Sequence, residues 1–249
     1  MWPTIAPLGA AGATPAPHAR PMPRGCRAGA APAGAYADRV STPFDQSAYQ
    51  VRLDWGVDGV ARLAPADVYV VVDVIRFSSN VAAAVAAGGR VVLADAAAHS
   101  VNGAAVARAA GELAHRPLVL AAALRNASAV AAAVKAEQER RGARTSVAVI
   151  AGGELAPGGT LRFAVEDLLG AGAVVDALTP LGIDHSSPEA VAAAESFASL
   201  RRAAKHLLTA SGSGRELEGD ARHGEVLAAA RVDDLDAVPV LRDGVFAAL

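Results

Sequence analysis

The chain has 249 residues, a formal net charge of −2, and 53% hydrophobic against 19% charged residues, a balance that fills a large core and excludes a disordered chain. So small a charge offers no basic field for nucleic acid, and no uncharged apolar run reaches the ~18 residues of a membrane helix. The single cysteine, Cys26, excludes an internal disulfide or a cysteine metal cluster, and a cytoplasmic protein fits best.

Residues 1–41 stand apart in composition. They are dense in Pro, Gly and Ala, and Arg20, Arg24, Arg27 and Arg39 face the single acid Asp38. This segment reads as a disordered extension or the product of a misassigned start codon, with Met22 as an alternative start. It lacks the apolar core of a secretory signal. Residues 42–249 read as one α/β domain. In chain order, strands are predicted at 47–54, 68–75, 90–94, 117–122, 146–151 and 238–241. Helices are predicted at 79–87, 100–114, 127–141, 162–178, 188–208 and 222–230. Alternation of this kind favours a three-layer α/β/α arrangement with a largely parallel sheet. Ser187-Pro188-Glu189 marks a capped helix start, and Arg242-Asp243-Gly244 marks a hairpin turn between Val238–Leu241 and Val245-Phe246.

The chemistry-bearing residues cluster where strands end. Val68 to Ile75 is a β-branched run interrupted by Asp73 and followed by Arg76, Ser78, Ser79 and Asn80. A carboxylate in such a run must be paired, hydrogen-bonded or metal-bound. The segment suits an anion site at a helix start, and it equally suits a buried Asp73–Arg76 pair with a serine cap. Glu154 follows the strand at 146–151, and Glu166 and Asp167 open the next helix about 100° apart around its axis. Three carboxylates near one strand end suit a hard cation such as Mg²⁺, although an Arg162–Glu166 pair would also account for them. Ser211-Gly212-Ser213-Gly214-Arg215 can form an anion-receiving backbone nest or a simple helix cap. Asn126 and Ser128 repeat the strand-to-helix arrangement of the first motif. A P-loop, the G-x-S-x-G nucleophile elbow and H-E-x-x-H do not occur.

Taken in order, VVVDVIRFSSNVAAAVAAGG, LRNASAVAAAV, VIAGGE with RFAVEDLLGAGAVVDAL, and SGSGREL followed by VPVLRDGVF resemble the 2-phosphosulfolactate phosphatase family. The resemblance spans roughly residues 68–246. The G-E-R-x-G and T-T-N-G-T segments common in the family have only Val101-Asn102-Gly103 and Ala121 to Leu124 near their places. The resemblance implies the α/β/α fold of that family and Mg²⁺-dependent hydrolysis of (2R)-2-phospho-3-sulfolactate, a step of coenzyme M biosynthesis. It makes Asp73, Arg76, Glu166 and Asp167 the expected catalytic group and gives the Mg²⁺ to Asp73, Glu154, Glu166 and Asp167. Arg76 and Arg215 would bind substrate oxyanions, with Ser78, Ser79, Asn126, Ser211, Ser213 and Gly214 completing the substrate site. The expected partner is a small anionic phosphorylated substrate, with no nucleic acid or membrane; small α/β enzymes are often homodimers. A phosphatase for another small phospho-acid and a non-catalytic binding protein for a small anionic acid are the alternatives.

Overall fold

A computed structural model of the chain describes residues 42–98, 100 and 102–249, so the expectation for residues 1–41 lies outside the described residues. After a 3₁₀ turn at Pro43–Asp45, β1 (Val51–Trp55), α1 (Gly56–Arg62), β2 (Val68–Val72) and α2 (Phe77–Ala86) follow in order. Next come β3 (Val91–Val92), α3 (Leu93–Ala96), α4 (Gly103–Gly111), β4 (Leu118–Ala122), α5 (Ala127–Arg141) and β5 (Val147–Ala151). A small hairpin, β6 (Glu154–Leu155) and β7 (Leu161–Arg162), precedes α6 (Val165–Leu178) and α7 (Pro188–Leu200). The chain closes with α8 (Ala204–Ala210), α9 (Gly212–Glu216), α10 (His223–Ala229), β8 (Pro239–Arg242) and β9 (Val245–Ala248).

Among the described residues, seven strands form one sheet in the order β1-β5-β2-β4-β8-β9-β3. Strands β1, β5, β2 and β4 are parallel, while β8, β9 and β3 add an antiparallel margin. Strand β2 is Val-Tyr-Val-Val-Val and is buried throughout, as expected of a central parallel strand covered on both faces. Alternate side chains of each strand therefore serve two cores. Val68, Val70 and Val72 join Leu120, Val149, Leu169 and Val174 under α5, α6 and α7. Tyr69 and Val71 join Ile150, Val60, Val81 and Val106 under α1, α2 and α4. The fold is thus the three-layer α/β/α arrangement expected from the alternation. Among the described residues no helix is long and apolar enough to cross a membrane.

The topology leaves a crevice between β2 and β5. From the end of β2 the chain passes to α2 on one face, whereas from the end of neighbouring β5 it passes to α6 on the other. Open α/β sheets place ligands at such a switch point, because the diverging connections leave the strand ends uncovered.

Several elements differ from the sequence reading. Strand β2 stops at Val72 because the next two peptide N–H groups leave the ladder: Asp73 N–H donates to Ser78 Oγ and Val74 N–H to Asp167 Oδ1. The 90–94 strand shrinks to two residues and turns into α3. The 162–178 helix begins at Val165, after β7. The long 188–208 helix breaks in a 3₁₀ turn at Arg201–Ala203, and its start is capped as predicted, Ala190 N–H donating to Ser187 Oγ at 3.2 Å. Helix α1 has no signal in the sequence: it contains Gly56 and Gly59, both poor helix formers.

Helix α6 packs against α7 through glycine. A Cβ added at Gly172 would run into the Ala193 carbonyl oxygen, so the two backbones approach as only glycine allows. Gly172→Ala is expected to force them apart and to cost about 1–3 kcal/mol. Urea unfolding of the variant checks this, and an unchanged midpoint would contradict the close approach.

Candidate active site

The crevice between β2 and β5 is bordered by groups from several segments of the chain. Asp73 lies just past β2 and is only 5% exposed. Its Oδ1 accepts from Phe77 N–H at 3.2 Å, at the start of α2. Its Oδ2 accepts from Gly103 N–H at 2.9 Å and from the Ser100 hydroxyl at 3.3 Å. The approach of α4 to Asp73 needs a glycine, because a Cβ at Gly103 would be 2.6 Å from Oδ2. Burial pushes the Asp73 carboxyl up to about 6, helped by the nearby Glu154 charge and opposed by the three donors.

Asp167, in the first turn of α6, lies beneath this carboxylate. Its Oδ1 accepts from Val74 N–H at 2.7 Å and its Oδ2 from Gly153 N–H at 2.8 Å. One side chain thereby holds the chain just after β2 and just after β5. Burial, then the Asp73 charge, then the Glu166 charge raise its pKa well above the ordinary carboxylate range. Glu166 is 3% exposed and accepts from the Ser213 hydroxyl, which stands 3.4 Å from Glu154 Oε2. A hydroxyl has one proton to give, so Ser213 donates to one carboxylate and can receive from the other only if that one is protonated.

A cavity of about 310 Å³ opens over these groups, lined by Asp73, Arg76, Ser100, Asn102, Glu154 and Ser213, with Glu216, Leu217 and Arg222 at its far side. Arg76 is tied through Nη1 to Glu225 Oε2 at 3.0 Å, an acid of α10 that also accepts from Asn80 Nδ2 at 2.8 Å. Asn102 donates through Nδ2 to the Gly153 carbonyl at 2.9 Å, and its buried Oδ1 has no partner.

The structure therefore brings Asp73, Arg76, Glu154 and Ser213 to one cavity, with Glu166 behind Ser213. It does not bring the other sequence candidates there. Ser78 Oγ donates to the Val71 carbonyl at 2.9 Å and Ser79 Oγ to the Val74 carbonyl at 2.8 Å, so both hydroxyls secure the turn after β2. Asn126 is fully buried, its Oδ1 taken by Ala123 N–H and its Nδ2 by the Ala121 and Ala237 carbonyls. The Ser211–Arg215 loop is a short helix, not a nest: Ser211 Oγ accepts from Gly214 N–H at 3.1 Å, and Gly214 lies hard against the Leu208 carbonyl. Arg215 is exposed and does not line the cavity. The direct Asp73–Arg76 pair is also replaced, since Arg76 pairs with Glu225 and Asp73 with peptide groups. Arg162 sits in β7 over Gly212, and no ion pair joins it to Glu166 among the described residues.

The four-carboxylate Mg²⁺ cage needs the same correction. Among the described residues no group of three or more His, Cys, Asp and Glu side chains converges as metal ligands. Asp167 has both oxygens on peptide N–H groups, and Glu166 faces Ser213. What remains at the cavity still fits a magnesium ion, which takes one or two protein carboxylates and fills its octahedron with water and phosphate oxygens. Asp73 and Glu154 supply that number, the unpartnered Asn102 Oδ1 is a further oxygen donor, and the excess of carboxylates would repel an anion unless a cation sat among them.

Ser100, Asn102, Gly103, Glu216 and Arg222 are absent from the sequence-based candidates. Asn102-Gly103, the remnant of an expected family segment, and Glu216, inside the SGSGREL string, carried a signal, whereas Ser100 and Arg222 carried none.

The family model for 2-phosphosulpholactate phosphatase matches residues 94–244, more than half of the chain, and the chain belongs to that family of phosphatases. No curated protein matches the chain. The matched stretch contains Asn102, Glu154, Glu166, Asp167 and Ser213, and the fold sets Asp73 and Arg76, which precede it, against those residues.

Two outcomes follow from this geometry. Asp167→Asn leaves one of two peptide N–H groups facing an amide NH₂, at a cost of about 1–3 kcal/mol in urea unfolding. Wild-type stability in that variant would show that the clamp is idle. In metal-free protein the Asp73 carboxyl should titrate near 6 rather than at its ordinary 3.8. The folded chain then holds this proton more tightly than the unfolded chain. The associated stability is full below about 3.8 and is lost as pH rises through about 6. Carbon-detected NMR, with Asp73→Asn to assign the signal, reads the midpoint directly; a value below about 4.5 contradicts the assigned environment.

Proposed function

From its membership in this family, we propose that the protein hydrolyses the phosphomonoester of a small, multiply charged acid, 2-phospho-3-sulfolactate, to 3-sulfolactate and phosphate. The observation that carries the reading is the one cavity in which Arg76 faces the Asp73 and Glu154 carboxylates at the switch point of a parallel sheet. Hydrolysis joins a water oxygen to phosphorus, breaks the bond from phosphorus to the C2 oxygen, and returns a proton to that oxygen.

Arg76 binds phosphoryl oxygens. Its Nη1 is spent on Glu225, which leaves Nε and Nη2 as a two-pronged donor pair and fixes the direction in which they point. Asp73, Glu154 and Asn102 Oδ1 would hold Mg²⁺. Bound there, the ion would neutralise phosphoryl charge and make the attacking water more acidic. Asp73 Oδ2 has two donors and no lone pair to spare, whereas Oδ1 accepts one bond and keeps one lone pair. That lone pair is available to a cation or to a proton of the attacking water. Ser213 holds the Glu154 and Glu166 carboxyls in fixed positions.

A phosphate-release assay with excess Mg²⁺ tests the reading. Wild type should turn over phosphosulfolactate, and EDTA should abolish turnover. Asp73→Asn should lower kcat/KM by two or more orders of magnitude. Arg76→Ala should cost roughly 10- to 100-fold, the equivalent of about 1.5–3 kcal/mol for a charged hydrogen bond. Absence of phosphate release from any phosphorylated hydroxy acid would sink the proposal.

A further inference from the structure

Only two cationic side chains among the described residues line the cavity over Asp73: Arg76 and Arg222. They differ in depth. The Arg76 side chain is 20% exposed and anchored on Glu225, whereas that of Arg222 is 46% exposed and stands at the mouth. Arg222 is nevertheless not loose. Asp220 accepts from its Nε and its Nη2, each at 2.8 Å, and from its backbone N–H at 2.8 Å. The turn that carries both residues is closed by Asp220 N–H on the Leu217 carbonyl and His223 N–H on the Asp220 carbonyl. A guanidinium has five N–H donors, so this grip leaves Nη1 and one proton of Nη2 for a ligand, in an orientation set in advance. The Arg222 hydrogen bonds hold the Asp220 carboxyl far below the ordinary carboxylate range, with a smaller contribution from the Arg76 charge. Arg76, just before α2, and Arg222, just before α10, thus line the same cavity.

We propose that Arg222 is the residue by which the cavity selects a sulfonated substrate: its free N–H groups bind the sulfonate while the phosphoryl group lies deeper, between Arg76 and Asp73. The inference rests on the phosphatase reading above. With the phosphoryl group at the Asp73 end, the rest of the substrate extends toward the mouth. The carboxylate is bonded directly to C2. The sulfonate stands one carbon farther out and reaches more easily to the rim. A sulfonate is also weakly hydrated for an anion, as a guanidinium is for a cation, so pairing them at a half-exposed site displaces little bound water.

The test is a comparison of substrates as well as variants. Steady-state kinetics of wild type, Arg222→Ala and Arg222→Lys are measured with 2-phosphosulfolactate and with 2-phospholactate, which keeps the phosphate and carboxylate but lacks the sulfonate. Arg222→Ala should raise KM for phosphosulfolactate by roughly 10- to 100-fold with little change in kcat, reducing the preference over phospholactate by a similar factor. Arg222→Lys, which keeps the charge but loses the fork held by Asp220, should fall between the two. An equal loss with both substrates means that Arg222 reads the carboxylate or the phosphate and overturns the proposal, as does an unchanged preference. Binding of 3-sulfolactate and of lactate, followed by NMR in the same proteins, keeps the two readings apart. If wild type releases no phosphate yet binds sulfolactate through Arg222, the phosphatase reading fails and the sulfonate site stands. If wild type neither hydrolyses nor binds the sulfonated acid, the sulfonate site fails as well.

Discussion

A single buried carboxylate determines how this site is built. Asp167 accepts the peptide N–H of Val74 after β2 and that of Gly153 after β5, two strands whose onward connections leave toward opposite faces of the sheet. Without an acceptor there, both N–H groups would be buried and unpaired, each at a cost comparable to a lost hydrogen bond. With it, the two strand ends are held side by side. Asp73 and Glu154, the residues that follow them, then face the same cavity. Residue 152 between them is glycine, and a Cβ there would stand 3.2 Å from Asp73 Cβ and 3.3 Å from Asp167 Oδ2.

The same clamp concentrates negative charge. Asp73, Glu166 and Asp167 are nearly fully buried within one region, and Glu154 adds a fourth carboxylate beside them. Such a group is stable only with protons, peptide donors or a cation to balance it. Peptide donors serve Asp167, the Ser213 hydroxyl serves Glu166, and Asp73 is served by two peptides and Ser100. Glu154 accepts from Leu155 N–H and Asn102 Nδ2 on one oxygen and stands near Ser213 with the other, which leaves the buried Asn102 Oδ1 as the unpartnered atom of the group. Cavity size does not mark this place. A larger cavity of about 730 Å³ lies among Asp67, Arg116, Leu118, Arg141 and Arg242, at the opposite end of the parallel strands. There the ion pair of Arg141 with Asp67 and that of Arg140 with Glu137 are ordinary surface neutralisation.

Much of the fold is legible in the sequence because burial has a local signature. The run Val-Tyr-Val-Val-Val can only be a strand covered on both sides, and Ser187-Pro188 can hardly be anything but a helix start. Parts of the site are legible for a related reason. An acid inside a β-branched run, as at Asp73, is costly enough to mark itself, and paired acids opening an apolar helix do the same at Glu166 and Asp167. Ser78, Ser79, Ser211 and Asn126 stay away from the cavity, because a hydroxyl or amide at a strand-to-helix junction serves a turn and a ligand equally well. Their partners here are backbone carbonyls and N–H groups, which carry no side-chain identity in the sequence.

Local pattern is enough for the class of fold, the order of its main strands and helices, the family, and which acids are expensive enough to need a reason. Tertiary structure alone decided which of those acids share a cavity. Asp73 and Asp167 are separated by everything from α2 to β7 and meet because β5 inserts beside β2. Arg76 turns to Glu225 rather than to Asp73 because α10 places a carboxylate nearer its guanidinium. Arg222 enters the cavity from an exposed turn that has no motif of its own. Local pattern records the cost of burying a group, which depends on that group alone. It does not record the partner that offsets the cost, which depends on where distant segments cross.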